Sequence, residues 1–222
     1  MASLPSHRQL LTTLINSVSD IAPAADAASP SSPPPLSTSP LQAVAHAQRP
    51  LLLTLHVLFP DLLLPALDLL DRKLVTRLRH GEDQDQDQDQ GKDAGVSHGN
   101  FLVRSLAATL MTRRTREPAP STQRYIVHLD TWNCSCASFT FDAFPNHSGP
   151  ADDTTPQPPD PEMEWSFGGM SRDGQSASSG DVPCCKHILA CLLFVKWPRM
   201  LSQYVEDRNI SRDEMAGIVA EM

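Results

Sequence analysis

Three low-complexity stretches constrain this chain more than any other feature, because none of them can contribute a core. Pro23 to Pro50 is built from Ala, Ser and Pro, Gly81 to Gly99 is an Asp-Gln repeat, and Pro145 to Pro183 is dense in Pro, Asp, Ser and Gly. Such compositions bury too little apolar surface to offset chain entropy, so all three read as disordered. Of 222 residues, about 140 are left to fold, enough for one modest core.

The folding remainder divides into short pieces. Residues 1–22 carry Leu10, Leu11, Leu14, Ile15 and Val18 at helical spacing and read as an N-terminal amphipathic helix. Residues 23–50 form a Pro/Ser/Ala-rich linker. Residues 51–144 hold two apolar helices, Leu51 to Phe59 and Pro65 to Leu70, then three strand-like runs at Leu74 to Leu78, Phe101 to Leu106 and Arg124 to Asp130. These predict a small antiparallel sheet, with the acidic insertion 81–99 and the Arg-rich stretch Arg113 to Pro120 as its connections. A disordered insertion occupies 145–183. In 184–222 an apolar helix runs from Lys186 to Trp197, stopped by Pro198, and Ser211 with Glu214 offers a capping box for a last helix. The fold class expected is α+β, with N-terminal helices and a small antiparallel sheet.

Charge argues first against a nucleic-acid partner, since the net value is −8. Residues 82–93 and 151–164, however, carry −5 each, which leaves the remainder at +2. The best basic cluster is Arg113, Arg114, Arg116 and Arg124 with Tyr125, and Lys186 lies beside the cysteine motif; a solvated loop accounts for the cluster better than DNA contact does, because no aromatic stacking platform accompanies the arginines. The most apolar run, Leu51 to Leu70, contains Pro60, Pro65, Asp61 and Asp68 and is not a membrane span, and no secretory leader is visible. A reducing compartment is therefore expected, in which cysteines serve as metal ligands or core rather than disulfides.

The chemistry lies in Cys134-Ser135-Cys136 and Cys185-Lys186-His187. Three thiolates and an imidazole are what a closed tetrahedral structural zinc needs. Period-two alternation lets both sulfurs of a strand-end C-x-C face one way, and a helix start favours a thiolate at Cys185. Cys184 is an alternative to Cys185, at C-x-x-H spacing, and Cys191 reads as a small buried hydrophobe. A closed shell leaves no open position for hydrolysis, and no phosphate loop is present, since Gly91-Lys92-Asp93 does not fit one. The chain is therefore expected to be non-enzymatic. Five cysteines also cannot build a second zinc module of the kind a ubiquitin-transfer scaffold would carry.

The C-x-C…C-x-H arrangement, the strand Tyr125-Ile126-Val127-His128-Leu129 before it and Cys-Lys-His-Ile-Leu-Ala opening a helix resemble the SWIM zinc finger. With Ala66-Leu67-Asp68-Leu69-Leu70-Asp71-Arg72 followed by Leu74-Val75-Thr76, the likeness extends to the small SWIM-domain subunits of the Shu complex. The resemblance covers about Leu51 to Val195 without the insertions. It implies one structural zinc on Cys134, Cys136, Cys185 and His187, and a nuclear role in homologous-recombination DNA repair. The partner implied is a RecA-like recombinase paralogue, with which the chain would promote recombinase filaments on single-stranded DNA, touching single-stranded or forked DNA itself. A DNA-binding SWIM module of a transposase-derived transcription factor is the alternative. The departure is spacing, since 48 residues separate Cys136 from Cys185. Closure cost grows only logarithmically with loop length, so the four ligands can still meet.

Overall fold

The computed structural model describes residues 6–21, 44, 46–80, 99–105, 123–144, 166–169 and 182–221. Helix α1 (His7–Ser17) opens on a capping box, in which the Ser6 hydroxyl accepts from the Gln9 amide and the Gln9 side chain accepts from the Ser6 amide. Its buried stripe of Leu11 and Ile15 continues into Val18 and Ile21. Helices α2 (Arg49–Leu58) and α3 (Leu63–Asp71) follow, the chain bending by 116° between them. The expected linker thus ends early: Val44 is buried, and residues 46–50 already belong to the helical region. No single helix among the described residues is long and apolar enough to cross a membrane.

Helix α3 closes on a Schellman motif, in which Lys73 donates to the Leu70 carbonyl and Leu74 to that of Leu69. Lys73 takes the left-handed position, at φ 53°, where glycine is usual. The chain then turns directly into β1 (Val75–His80), which pairs antiparallel with β2 (Asn100–Arg104), and β2 with β3 (Arg124–His128).

The expected antiparallel sheet needs two corrections. A separate two-residue strand, β4 (Asn133–Cys134), pairs with β3, so the C-x-C does not end the third strand but follows a turn at residues 129–132. A further strand, β5 (Glu206–Ile210), runs parallel to β1 from Thr76↔Glu206 to His80↔Ile210, which makes the sheet mixed, in the order β4-β3-β2-β1-β5. Its sequence, Glu-Asp-Arg-Asn-Ile, lacks strand propensity; an edge strand exposing all but Ile210 forms through backbone pairing with β1, aided by the Arg79–Asp207 ion pair at 2.9 Å.

The two sheet faces are covered unequally. One receives Val75, Phe101, Val103 and Val127 and packs under α3 and α5 (Lys186–Lys196), with Phe101 edge-on to Phe194 at 5.9 Å. Helix α5 is buried nearly all round, and Trp197, before the short α6 (Pro198–Leu201), donates its indole N–H to the Ile21 carbonyl at 3.0 Å. On the other face the described residues bury Leu78, Leu102, Ile126 and Ile210 under Ile218 of α7 (Arg212–Ala220). Ser211 caps α7 by accepting from the Glu214 amide, while the Glu214 carboxylate turns to Arg208 of β5.

Candidate metal centre

Cys134, Cys136, Cys185 and His187 converge as four buried side chains whose donor atoms all lie within 4.8 Å of one another. The imidazole Nδ1 is 3.8 Å from the sulfurs of both Cys134 and Cys185. A tetrahedron with bonds of about 2.3 Å to sulfur and about 2.0 Å to nitrogen has edges of roughly 3.5 to 3.8 Å, so the set fits one tetrahedral ion with soft donors. No cysteine is in a disulfide.

Local structure aims each ligand. Cys134 lies on β4 opposite Val127. Ser135, between the two cysteines, exchanges two bonds with Ile126 of β3, its amide donating to the carbonyl and its hydroxyl accepting from the amide, both at 3.0 Å. Cys136 caps a helix that sequence reading missed, α4 (Ala137–Ala143), and its sulfur accepts from the Phe139 amide at 3.3 Å. Cys185 occupies the N-cap position of α5. Two of the three sulfurs therefore stand at helix N-termini, where the backbone favours the thiolate. His187 lies in the first turn of α5 and stacks on Tyr125, with ring centroids 4.5 Å apart. The signal for α4 was slight: only Phe139 is buried from it, and Pro145 follows its end.

The three thiols perturb one another's ionisation. Hydrogen bonds from Cys134 and then Cys185 hold Cys136 far below the usual thiol range, as a thiolate. Donating to Cys136 and to Cys185, with burial added, raises Cys134 strongly. Cys185 is drawn down by Cys134 but more than offset by Cys136 and burial, and is pushed up to about 11. Three thiols this close share protons with one another, and a cation held at the four donors would let all three ionise together.

Two straps hold the halves of the site together across the 48 intervening residues. Trp132 donates its indole N–H to the Pro183 carbonyl at 2.7 Å, and Asp142 of α4 accepts the Cys184 amide at 2.7 Å. Trp132 adopts φ 51°, a strained position for a bulky residue, kept by that bond and by its packing. Its ring meets Phe167 at 5.0 Å, and Phe167 meets Phe59 at 5.6 Å. Ser166–Gly169 belong to the stretch expected to be disordered, yet they dock on α1. Arg8, buried, donates to the carbonyls of Phe167 at 3.0 Å and Gly169 at 2.5 Å, Ser166 donates to Asn16, and the Phe167 amide donates to Thr12. Gly169, at φ 47°, has the Leu129 carbonyl 2.7 Å from where a Cβ would stand, so only glycine fits. No periodicity in the sequence pointed to Arg8 or Phe167.

Cys184 is not a fourth sulfur of the cluster; its thiol lies toward the Cys185 carbonyl, and burial raises it well above the ordinary range. Cys191 is fully buried core. Of the basic residues, Arg113, Arg114 and Arg116 lie outside the described residues. Arg124 is exposed on β3 directly opposite Arg104 of β2, a pairing visible only in the register, while Lys186 is half-buried at the start of α5 on the other sheet face. No protein-family model matches this chain, and neither does any curated protein sequence.

Proposed function

We propose that this chain is a non-enzymatic SWIM-type zinc protein of the nucleus that acts in homologous-recombination DNA repair. In this reading it is a Shu-complex-like partner of a RecA-like recombinase paralogue, and the pair promotes recombinase filament assembly on single-stranded DNA. The observation that carries the reading is the convergence of a C-x-C before one helix and a C-x-H opening another on a single buried set of four donors. Zinc is the ion this set suits, because three thiolates and an imidazole are borderline-soft donors at tetrahedral spacing. Four protein ligands leave no position for a substrate, so the metal acts as a staple and the activity resides in binding. The Arg104–Arg124 pair, with Arg113, Arg114 and Arg116 on the connection between the same two strands, supplies the DNA contact.

Two measurements test this together. Native mass spectrometry is expected to find one zinc per chain, lost in Cys185→Ser, and pull-down with RecA-like paralogues is expected to retain one in a zinc-dependent manner. A zinc-loaded chain that retains no paralogue but binds duplex DNA would replace this reading with the transposase-derived module. Full alkylation of all five cysteines with no zinc would remove both.

A further inference from the structure

A cleft of about 530 Å³ opens beside the metal centre, between the α2–α3 turn and α4. Leu58, Phe59, Pro60 and Leu62 form one wall, Phe141 and Cys184 the other, and its charges are the two carboxylates Asp61 and Asp142. Among the described residues neither carboxylate pairs with a basic side chain and no base lines the cleft.

The outer wall is unusual for a helix of a water-soluble surface. Helix α4 carries two phenylalanines and is followed by a third; Phe139 is buried, but Phe141 is 79% exposed and Phe144 76%. Val57, adjoining the lining residue Leu58, is equally exposed. Single exposed apolar residues are ordinary, whereas two nearly bare aromatic rings beside an apolar cleft mark a contact surface. The position of α4 is not arbitrary either: Cys136 caps it and Asp142 is strapped to Cys184, so the metal site fixes the wall.

We propose that this cleft is a docking groove for a protein segment that presents apolar side chains next to lysine or arginine. The rings and leucines would take the apolar side chains, and Asp61 and Asp142 would receive the cation, since a groove whose charges are both negative favours a basic occupant and rejects an acidic one. The inference rests on the reading that the chain works through a protein partner, and names the surface and the chemistry that partner must have.

The test uses the full metal-loaded chain and two labelled synthetic helical peptides, one of leucine and lysine and the other of leucine and glutamate at the same positions. Fluorescence anisotropy is expected to show the lysine peptide binding at least about tenfold more tightly than the glutamate one. Asp61→Lys and Phe141→Ala, both at exposed positions, are each expected to weaken it about tenfold with zinc content unchanged, while Val219→Ala on α7 leaves it as it was. Equal affinity for the two peptides, or variants that bind like the wild type, would overturn the groove. A concentration-dependent dimer abolished by Phe141→Ala in sedimentation would also overturn it, by assigning the surface to a second copy. If a paralogue binds the two groove variants at wild-type affinity, the groove fails and the proposed function stands. If no paralogue binds while the lysine peptide still depends on Asp61, the proposed function fails and the groove stands.

Discussion

The two faces of the sheet solve the same problem by different means. The face under α3 and α5 is assembled from pieces distant in sequence: α1, the α2–α3 pair, Ser166–Gly169 and residues 182–201 all meet on it. It holds the four candidate metal donors, and hydrogen-bonded straps from Trp132, Asp142 and Arg8 close its gaps. The face under α7 is nearly local, closed by a strand and a helix that follow one another at the C-terminal end of the sequence, with one capping serine between them. Distant pieces pay loop-closure entropy before their contacts reward them, a cost that an ion held by the four buried donors of the first face would offset.

Removing a ligand tests that contrast most severely. Structural zinc contributes about 10 to 16 kcal/mol of apparent binding energy in finger peptides, more than the net stability of most domains. Cys134→Ser or His187→Ala is therefore expected to abolish metal retention and unfold the α5 face, read by native mass spectrometry and near-ultraviolet circular dichroism. A variant that keeps wild-type melting without metal would show that the pieces hold together unaided.

Core truncation sharpens the comparison next. Phe101, fully buried and edge-on to Phe194, is expected to lose about 3 to 5 kcal/mol on replacement by alanine, and Ile210, on the thin face, about 2 kcal/mol. Denaturant melts of metal-loaded protein measure both, and an equal loss would mean that the thin face is as cooperative as the thick one. Arg8→Met keeps the aliphatic stem and removes the charged bonds to Phe167 and Gly169, for an expected loss of about 2 kcal/mol. Faster zinc transfer to a chelator in that variant would show the strap acting through Phe167 and Trp132; an unchanged rate would confine Arg8 to holding α1.

The smallest effect lies on the thin face. His128 is half-buried, and burial lowers its pKa below the ordinary histidine value against a smaller opposing pull from Asp130. The unfolded chain therefore takes the extra proton more readily, and stability falls as pH drops through about 6.5 toward the folded value. His128→Gln is expected to match the wild type above about pH 7 and to lose less melting temperature below about 6.5. Metal release in acid is common to both proteins, so the difference between them isolates this residue.

What could be read from the residues alone was whatever rests on local pattern. The helical stripe of α1, the apolar α2, α3 and α5, the three strands with β-branched and aromatic residues, the Ser211 cap and the four metal donors all declare themselves within a few positions. The C-x-H spacing also favoured Cys185 over Cys184, and the four converging donors include Cys185 and leave Cys184 out. Strand β5, by contrast, was not legible: its exposed, charged residues carry no alternation, and its conformation comes from pairing with β1, 130 residues earlier (Thr76 with Glu206). Arg8 with Phe167, and Asp61 with Asp142, likewise acquire meaning only when chain segments far apart in sequence are brought to one place. The physical reason is the same in each case: a residue's own propensity acts over one turn or one strand, while burial, charge pairing and edge completion depend on neighbours that the tertiary fold alone supplies.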